Sequence, residues 1–275
     1  ASDVYKRQPF CAQILDAALF LPGVSAPVTA DFSWDPQADA VPGAKAVPAG
    51  LRRRLSPLGK AAAEALFSLD AFRNETKAQT EDDAWVFSSR WGDLDASVAQ
   101  LRSLAGGEDL SPTAFATSVH NGIAGQLSIA AKHTGFVTAI AGGDAPFARG
   151  FETAAALLVD HPRVHFVLYD QGVVPEDPKR YAAAFTLAKL DPTPDEKGYA
   201  DYLRGPVLTL ERKTDLKGLP DPVDTAAKDD SGASEVLAMI RWLVDAEAPA
   251  LATPCGDARR VFAKNAPLTN LRVLA

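Results

Sequence analysis

The chain has 275 residues, 47% hydrophobic and 23% charged, the balance of an ordinary globular protein with enough apolar side chains for a core. A formal net charge of −7 and an isoelectric point near 5.2 argue against a nucleic-acid binder, which shows itself as a basic face. No run of roughly 18 apolar residues occurs, so no membrane span is expected. The two cysteines, Cys11 and Cys255, fit neither a disulfide scaffold nor a CxxC motif, which is the composition of a reducing, cytoplasmic compartment.

In chain order, residues 1–8 resemble linker sequence and are set aside as a non-native or disordered leader, leaving residues 9–275 as one domain. Prolines 22, 27, 36, 42 and 48 deny regular hydrogen bonding and predict a long surface loop. Ser56-Pro57 supplies an N-cap and first helical residue, and Leu58, Ala62, Leu66 and Leu69 predict a helix to Leu69. The apolar run Ala84–Ser88 predicts a buried strand, followed by a helix over 94–104 that Gly106-Gly107 stops. Ser111-Pro112-Thr113 announces the next element, and Val119, Ile123 and Leu127 predict one helix over 118–133, ended by Gly135.

Phe136–Ala141 reads as a strand, Gly142-Gly143 as a turn, and Phe147, Phe151, Ala155 and Leu158 as an amphipathic helix. Val164–Tyr169 is nearly continuous apolar, the pattern of a central strand covered on both faces. Strands are expected over 182–190, 207–210 and 260–263 and a helix over 233–244, with 191–232 a long proline-rich excursion. Alternating strands and helices predict an α/β fold, a mostly parallel mixed sheet with helices on both faces.

The segment Ser111–Ala154, SPTAFATSVHNGIAGQLSIAAKHTGFVTAIAGGDAPFARGFETA, resembles the central motif of the β-ketoacyl synthases of the thiolase superfamily. That family shows an Asn and an Ala-Gly pair on a helix, then a Gly, a strand, a small-residue turn and a nucleophilic Cys opening a buried helix. Asn121, Ala124-Gly125, Leu127, Gly135, Ile140 and Ala141 fall in this register, which puts Asp144 where the Cys stands. The pieces Leu51–Leu66 and Trp85–Leu94 resemble the family's early helix and second strand with its turn. No piece after residue 190 resembles the His-bearing loops of the family's second half. The resemblance therefore implies a thiolase-like half of αβα layers and, among known types, the short chain-length-factor-like proteins of aryl polyene-type pathways.

What that implies about function is a subunit without catalysis or cofactor. It would form a heterodimer with a catalytic β-ketoacyl synthase, shape its acyl tunnel, and meet acyl carrier protein indirectly. A homodimer is expected when the partner is absent. The interface and tunnel residues so implied are His120, Asn121, Gly125, Phe136, Thr138, Ile140, Asp144 and Phe147.

Decarboxylative condensation needs a thiolate to hold the acyl chain and imidazoles to stabilise developing charge. An Asp acylated at position 144 would be a hydrolysable anhydride. The plainer reading of Asp144 is a helix N-cap, with Pro146 pre-set for the first turn. A strand, Gly-Gly turn, Asp and helix also describe a nucleophile elbow, so an Asp144-dependent hydrolase or acyl-transfer enzyme is one alternative; a stand-alone acyl or carrier-protein binding module is another. His120 and His133, thirteen apart on the expected helix, make no metal pair, and they and His161 and His165 read as structural. Arg52, Arg53 and Arg54 form the one basic run, a solvated face or a contact for an acidic carrier protein. Cys11 and Cys255 read as structural.

Overall fold

The computed structural model describes residues 10–24, 28–29, 32, 42–73, 78–172, 180–190, 206–215, 217–219, 233–255 and 258–274. The expected leader and most of the two proline-rich stretches lie outside the described residues. In chain order the elements are β1 (Phe10–Phe20), α1 (Ala49–Arg52), α2 (Pro57–Phe67), α3 (Asp70–Arg73), β2 (Ala84–Ser89), α4 (Leu94–Ala105), α5 (Pro112–Ser118), α6 (Gly122–Ala131), β3 (Val137–Ala141), α7 (Pro146–Leu157), β4 (Arg163–Gln171), β5 (Arg180–Ala188), β6 (Val207–Lys213), α8 (Ala233–Val244), β7 (Ala250–Cys255), β8 (Ala258–Lys264) and β9 (Leu271–Leu274).

The caps form as the residue types dictate. Ser56, Asp93 and Ser111 accept hydrogen bonds from the backbone N–H groups of Gly59, Ala96 and Ala114, opening α2, α4 and α5. One expected helix is two. Val119 is extended (φ −66°, ψ 151°), which separates α5 from α6, and Lys132 takes the left-handed conformation (φ 54°) that ends α6. His120 therefore sits in the turn before α6 and His133 beyond its end; they share no helix.

The strands form one sheet in the order β3-β2-β4-β5-β1-β6-β8-β7, with β9 added beside β1. By their pairings, β1, β2, β3, β4, β8 and β9 run one way and β5, β6 and β7 the other. The sheet is thus mixed, as expected. Yet among the described residues only β2–β3, β2–β4 and β1–β9 pair in parallel, because β5 inserts antiparallel between β4 and β1, and β8 does the same between β6 and β7, the two strands that α8 links.

Alternation along β2 and β4 sends side chains to two cores. Trp85, Phe87, Val167 and Tyr169 pack with Leu58, Leu66, Ile123 and Leu127 of α2 and α6. Val86, Phe166 and Leu168 pack with Phe147 and Phe151 of α7 and with Met239 and Leu243 of α8. These are the αβα layers. A bulge between Ile14 and Asp16 turns the buried Asp16 to accept from Asp70 N–H at 2.6 Å and from Arg272 at 2.5 Å, which ties α3 and β9 to β1. Cys11 and Cys255 are free thiols on β1 and β7, and burial raises the Cys11 pKa.

Candidate functional site

Parallel strands β2, β3 and β4 end together, and such carboxyl ends are where open α/β sheets place ligands. Ser88, Ser89 and Arg90 leave β2, Gly142 leaves β3, and Tyr169, Asp170 and Gln171 end β4. The turn after β3 is held tightly. Gly142 N–H donates to Ser89 O at 2.7 Å, and Ser88 Oγ donates to Pro146 O at 2.7 Å. A Cβ on Gly142 would collide with Pro146 Cα, so only glycine permits this return into α7.

Asp144 does not cap α7. The N-cap is Ala145 with no side-chain bond, while Pro146 occupies the first turn as expected. The Asp144 carboxylate, 82% exposed, instead pairs with Arg90 Nη2 at 3.2 Å, and the Arg90 guanidinium lies 5.6 Å from the Trp91 ring centroid. Behind Arg90, the buried Asp170 accepts from Arg90 N–H at 2.7 Å and Gln171 N–H at 3.1 Å. Burial pushes the Asp170 pKa up to about 7, against those two bonds and the Arg90 charge, which favour the anion.

His120 closes the other side. Its Nε2 lies 3.4 Å from Ser89 Oγ, which accepts from Gly92 N–H at 2.9 Å, and Tyr169 O–H donates to His120 O at 3.4 Å. Burial holds the Tyr169 phenol well above its usual range. Gly92 has φ +70°, and a Cβ there would stand 2.8 Å from His120 Nδ1.

Of the expected site residues, the structure brings His120, Asn121, Gly125 and Thr138 together on an open pocket of about 480 Å³ between α6 and β3, with Ala124 and Ser128. Phe136 is 46% exposed beside His161, with 5.9 Å between ring centroids. Ile140 packs on the α7 core and Phe147 lies within it, edge to face with Phe166, Phe185 and Phe262. Neither lines the pocket. Sequence reasoning passed over Ser89, Arg90, Tyr169 and Asp170, although a polar residue directly after an apolar run (AWVF-SSR, VHFVL-YDQ) is the signal of a strand end.

The remaining histidines sit at the other end of β2 and β4. His165 Nε2 lies 3.5 Å from Asp83, and its Nδ1 lies 3.2 Å from Thr186 Oγ1. Arg163 clamps Asp83 with two bonds of 3.0 and 2.8 Å, and His133 stacks on Trp85 at 4.4 Å. Burial depresses both imidazoles. For Asp83 burial acts upward but is outweighed by its bonds from His165, Thr80 N–H and Arg163, and its pKa is lowered. Among the described residues no group of three His, Cys, Asp or Glu is placed to hold a metal, and no helix is long and apolar enough to cross a membrane.

A mixed sheet between helical layers, with a strand, a glycine turn and a buried helix at its strand ends, is a thiolase-like α/β fold. The chain belongs to the β-ketoacyl synthase N-terminal domain family, whose model matches residues 29–245. Among solved structures it is similar to a chain of the Xenorhabdus doucetiae complex of a ketosynthase (ApeO) with its chain length factor (ApeC), at 20% identity and TM-score 0.65 over 92% of this chain and 98% of that one. It is similar also to the ishigamide ketosynthase/chain length factor, at 15% identity and TM-score 0.53 over 80% and 83%. A third likeness is to a type II polyketide synthase complex of acyl-carrier protein with its ketosynthase (AntDE:AntF), at 10% identity and TM-score 0.57 over 95% and 100%. No curated protein matches the chain.

Proposed function

We propose that this chain is a non-catalytic, chain-length-factor-like subunit that pairs with a catalytic β-ketoacyl synthase and shapes its acyl tunnel, as a single domain over residues 9–275, in the cytoplasm. One observation carries the reading. The strand, turn and helix from Val137 to Leu157 contain no cysteine, and the residue that the resemblance sets at the family's nucleophile position, Asp144, is exposed and paired with Arg90. A carboxylate held by a guanidinium is a poor nucleophile, and it would repel a malonyl carboxylate.

The edge of the sheet at β3, where no described strand pairs on the outer side, supports the pairing. β3 is a terminal strand, with Trp85 N–H donating to Phe136 O and Gly142 N–H to Ser89 O. Counting by two between those bonds, Thr138 and Ile140 turn their backbone toward β2, while Val137, Ala139 and Ala141 turn theirs outward. Three outward residues next to the α6 pocket form a template for a partner strand.

The test has two arms. The chain alone is given acyl and malonyl thioesters and followed by mass spectrometry, with neither acylation nor condensation expected. It is then co-expressed with a ketosynthase encoded beside it, and a stable heterodimer is expected on size exclusion. Turnover through an adduct on Asp144, or a monomer indifferent to the ketosynthase, would overturn the reading.

A further inference from the structure

Between Leu110 and Ala131 the chain has no Asp, Glu, Lys or Arg. Within that stretch Phe115 is 57% exposed and Ile129 64%. A solvated helical surface shows charges on its outer face. An uncharged one with exposed rings and branched chains is built to be covered. On the side of α6 away from β3 this face falls into a second groove, of about 550 Å³, lined by Leu51, Arg54, Ala116, Val119 and Ile129 among others. Asn121 and Gly125 line both this groove and the pocket beside β3, so the surface runs unbroken across α6 from the free sheet edge to Arg54.

Arg54 ends the basic run that starts at Arg52. In a chain of net charge −7, none of Arg52, Arg53 and Arg54 has a carboxylate partner among the described residues. Arg54 lines the groove, and Arg53 next to it in the chain is exposed, so a segment lying in the groove and continuing past Arg54 meets more than one guanidinium, and the complement of that is a segment with several carboxylates. Resting on the heterodimer reading above, we infer that the partner subunit seats an acidic segment against Arg52–Arg54, and that this pairing favours that partner over a second copy of this chain. A two-fold self-pairing returns the same face to itself. That face offers Arg52–Arg54 no carboxylate from residues 110–131.

The experiment compares the unaltered chain with the Arg52→Glu/Arg53→Glu/Arg54→Glu variant and with the milder Arg→Gln triple, all checked by circular dichroism. Each is titrated against the ketosynthase encoded beside it at low and at high salt, and self-association is followed by sedimentation. The Glu triple is expected to bind about tenfold or more weakly at low salt, chiefly through slower association. The Gln triple should fall between, and the differences should collapse at high salt, where exposed pairs are screened. Self-association should be the same for all three. Equal affinities at low salt, or a matching change in self-association, would overturn the inference while leaving the heterodimer standing. A lack of any complex with the unaltered chain overturns the heterodimer reading, and this one with it.

Discussion

Asp170 is a carboxyl group buried among strand ends and, among the described residues, satisfied by two backbone N–H donors. Its pKa rises from an ordinary 3.8 to about 7, so the native state binds more protons than the unfolded chain between those values. The stability it contributes is present in full below the unfolded pKa and is lost as pH rises through the folded one. The shift corresponds to a cost on the order of 4 kcal/mol for holding the anion. Asp170→Asn keeps an acceptor for Arg90 N–H and removes that cost. Thermal melts should show the variant gaining on the parent from pH 5 to pH 8; parallel curves would refute the burial argument. The histidines act in the opposite sense. His165 and His133 are held neutral, so their contribution is present above the unfolded imidazole pKa of 6.5 and is lost as pH falls below it. Asp83→Ala would strand Arg163 and His165 without their buried anion. A loss of about 3–5 kcal/mol is expected in denaturant unfolding, and a loss within about 0.5 kcal/mol, the range of ordinary surface substitutions, would count against it.

Elements with strong local signals were legible in the sequence. The Ser56-Pro57 cap, the Gly106 stop and the apolar periodicity of α8 place those helices nearly where they stand. The break between α5 and α6 was not, because an apolar four-residue spacing runs straight through Val119 and only its backbone angles reveal the turn. β7 and β9 were missed for another reason. ALATPC carries a proline and LRVL is four residues long, so both are strands only because β8 and β1 pair with them. The direction of each backbone group on β3 is likewise invisible until the register with β2 is known, and it decides which substitution tests the edge. Ala139→Pro removes an outward N–H and should abolish heterodimer formation while leaving the melting temperature within a few degrees, since proline is tolerated on an edge whose N–H faces out. Thr138→Pro cuts the ladder to β2 and should destabilise the chain itself. Assembly surviving Ala139→Pro would exclude β3 as the pairing strand.

At the scale of the molecule, stability is unevenly placed, and the unevenness follows the candidate interface. β2, β4 and β5 are buried almost from end to end and lie between two aromatic-rich layers. By contrast α4 and α5 contain no buried residue, and they expose Leu101, Leu104 and Phe115. The sequence placed α4 between Leu94 and its Gly106-Gly107 stop but could not say which face would be left uncovered, because that depends on a surface the chain does not itself supply. Elements with few buried contacts open at low free-energy cost, whereas a packed sheet exchanges only by near-global unfolding. Hydrogen exchange read by mass spectrometry should therefore find residues 94–118 exchanging orders of magnitude faster than β2, β4 and β5 in the isolated chain. If the uncharged face from Leu110 to Ala131 is where the ketosynthase sits, adding that partner should slow exchange in α5, α6 and β3 together, and leave β7 and β8, at the opposite end of the sheet, unchanged. Protection confined to β7 and β8 would place the partner on the wrong side of the molecule, and α4 and α5 already as protected as the sheet would mean that they need no partner to hold them.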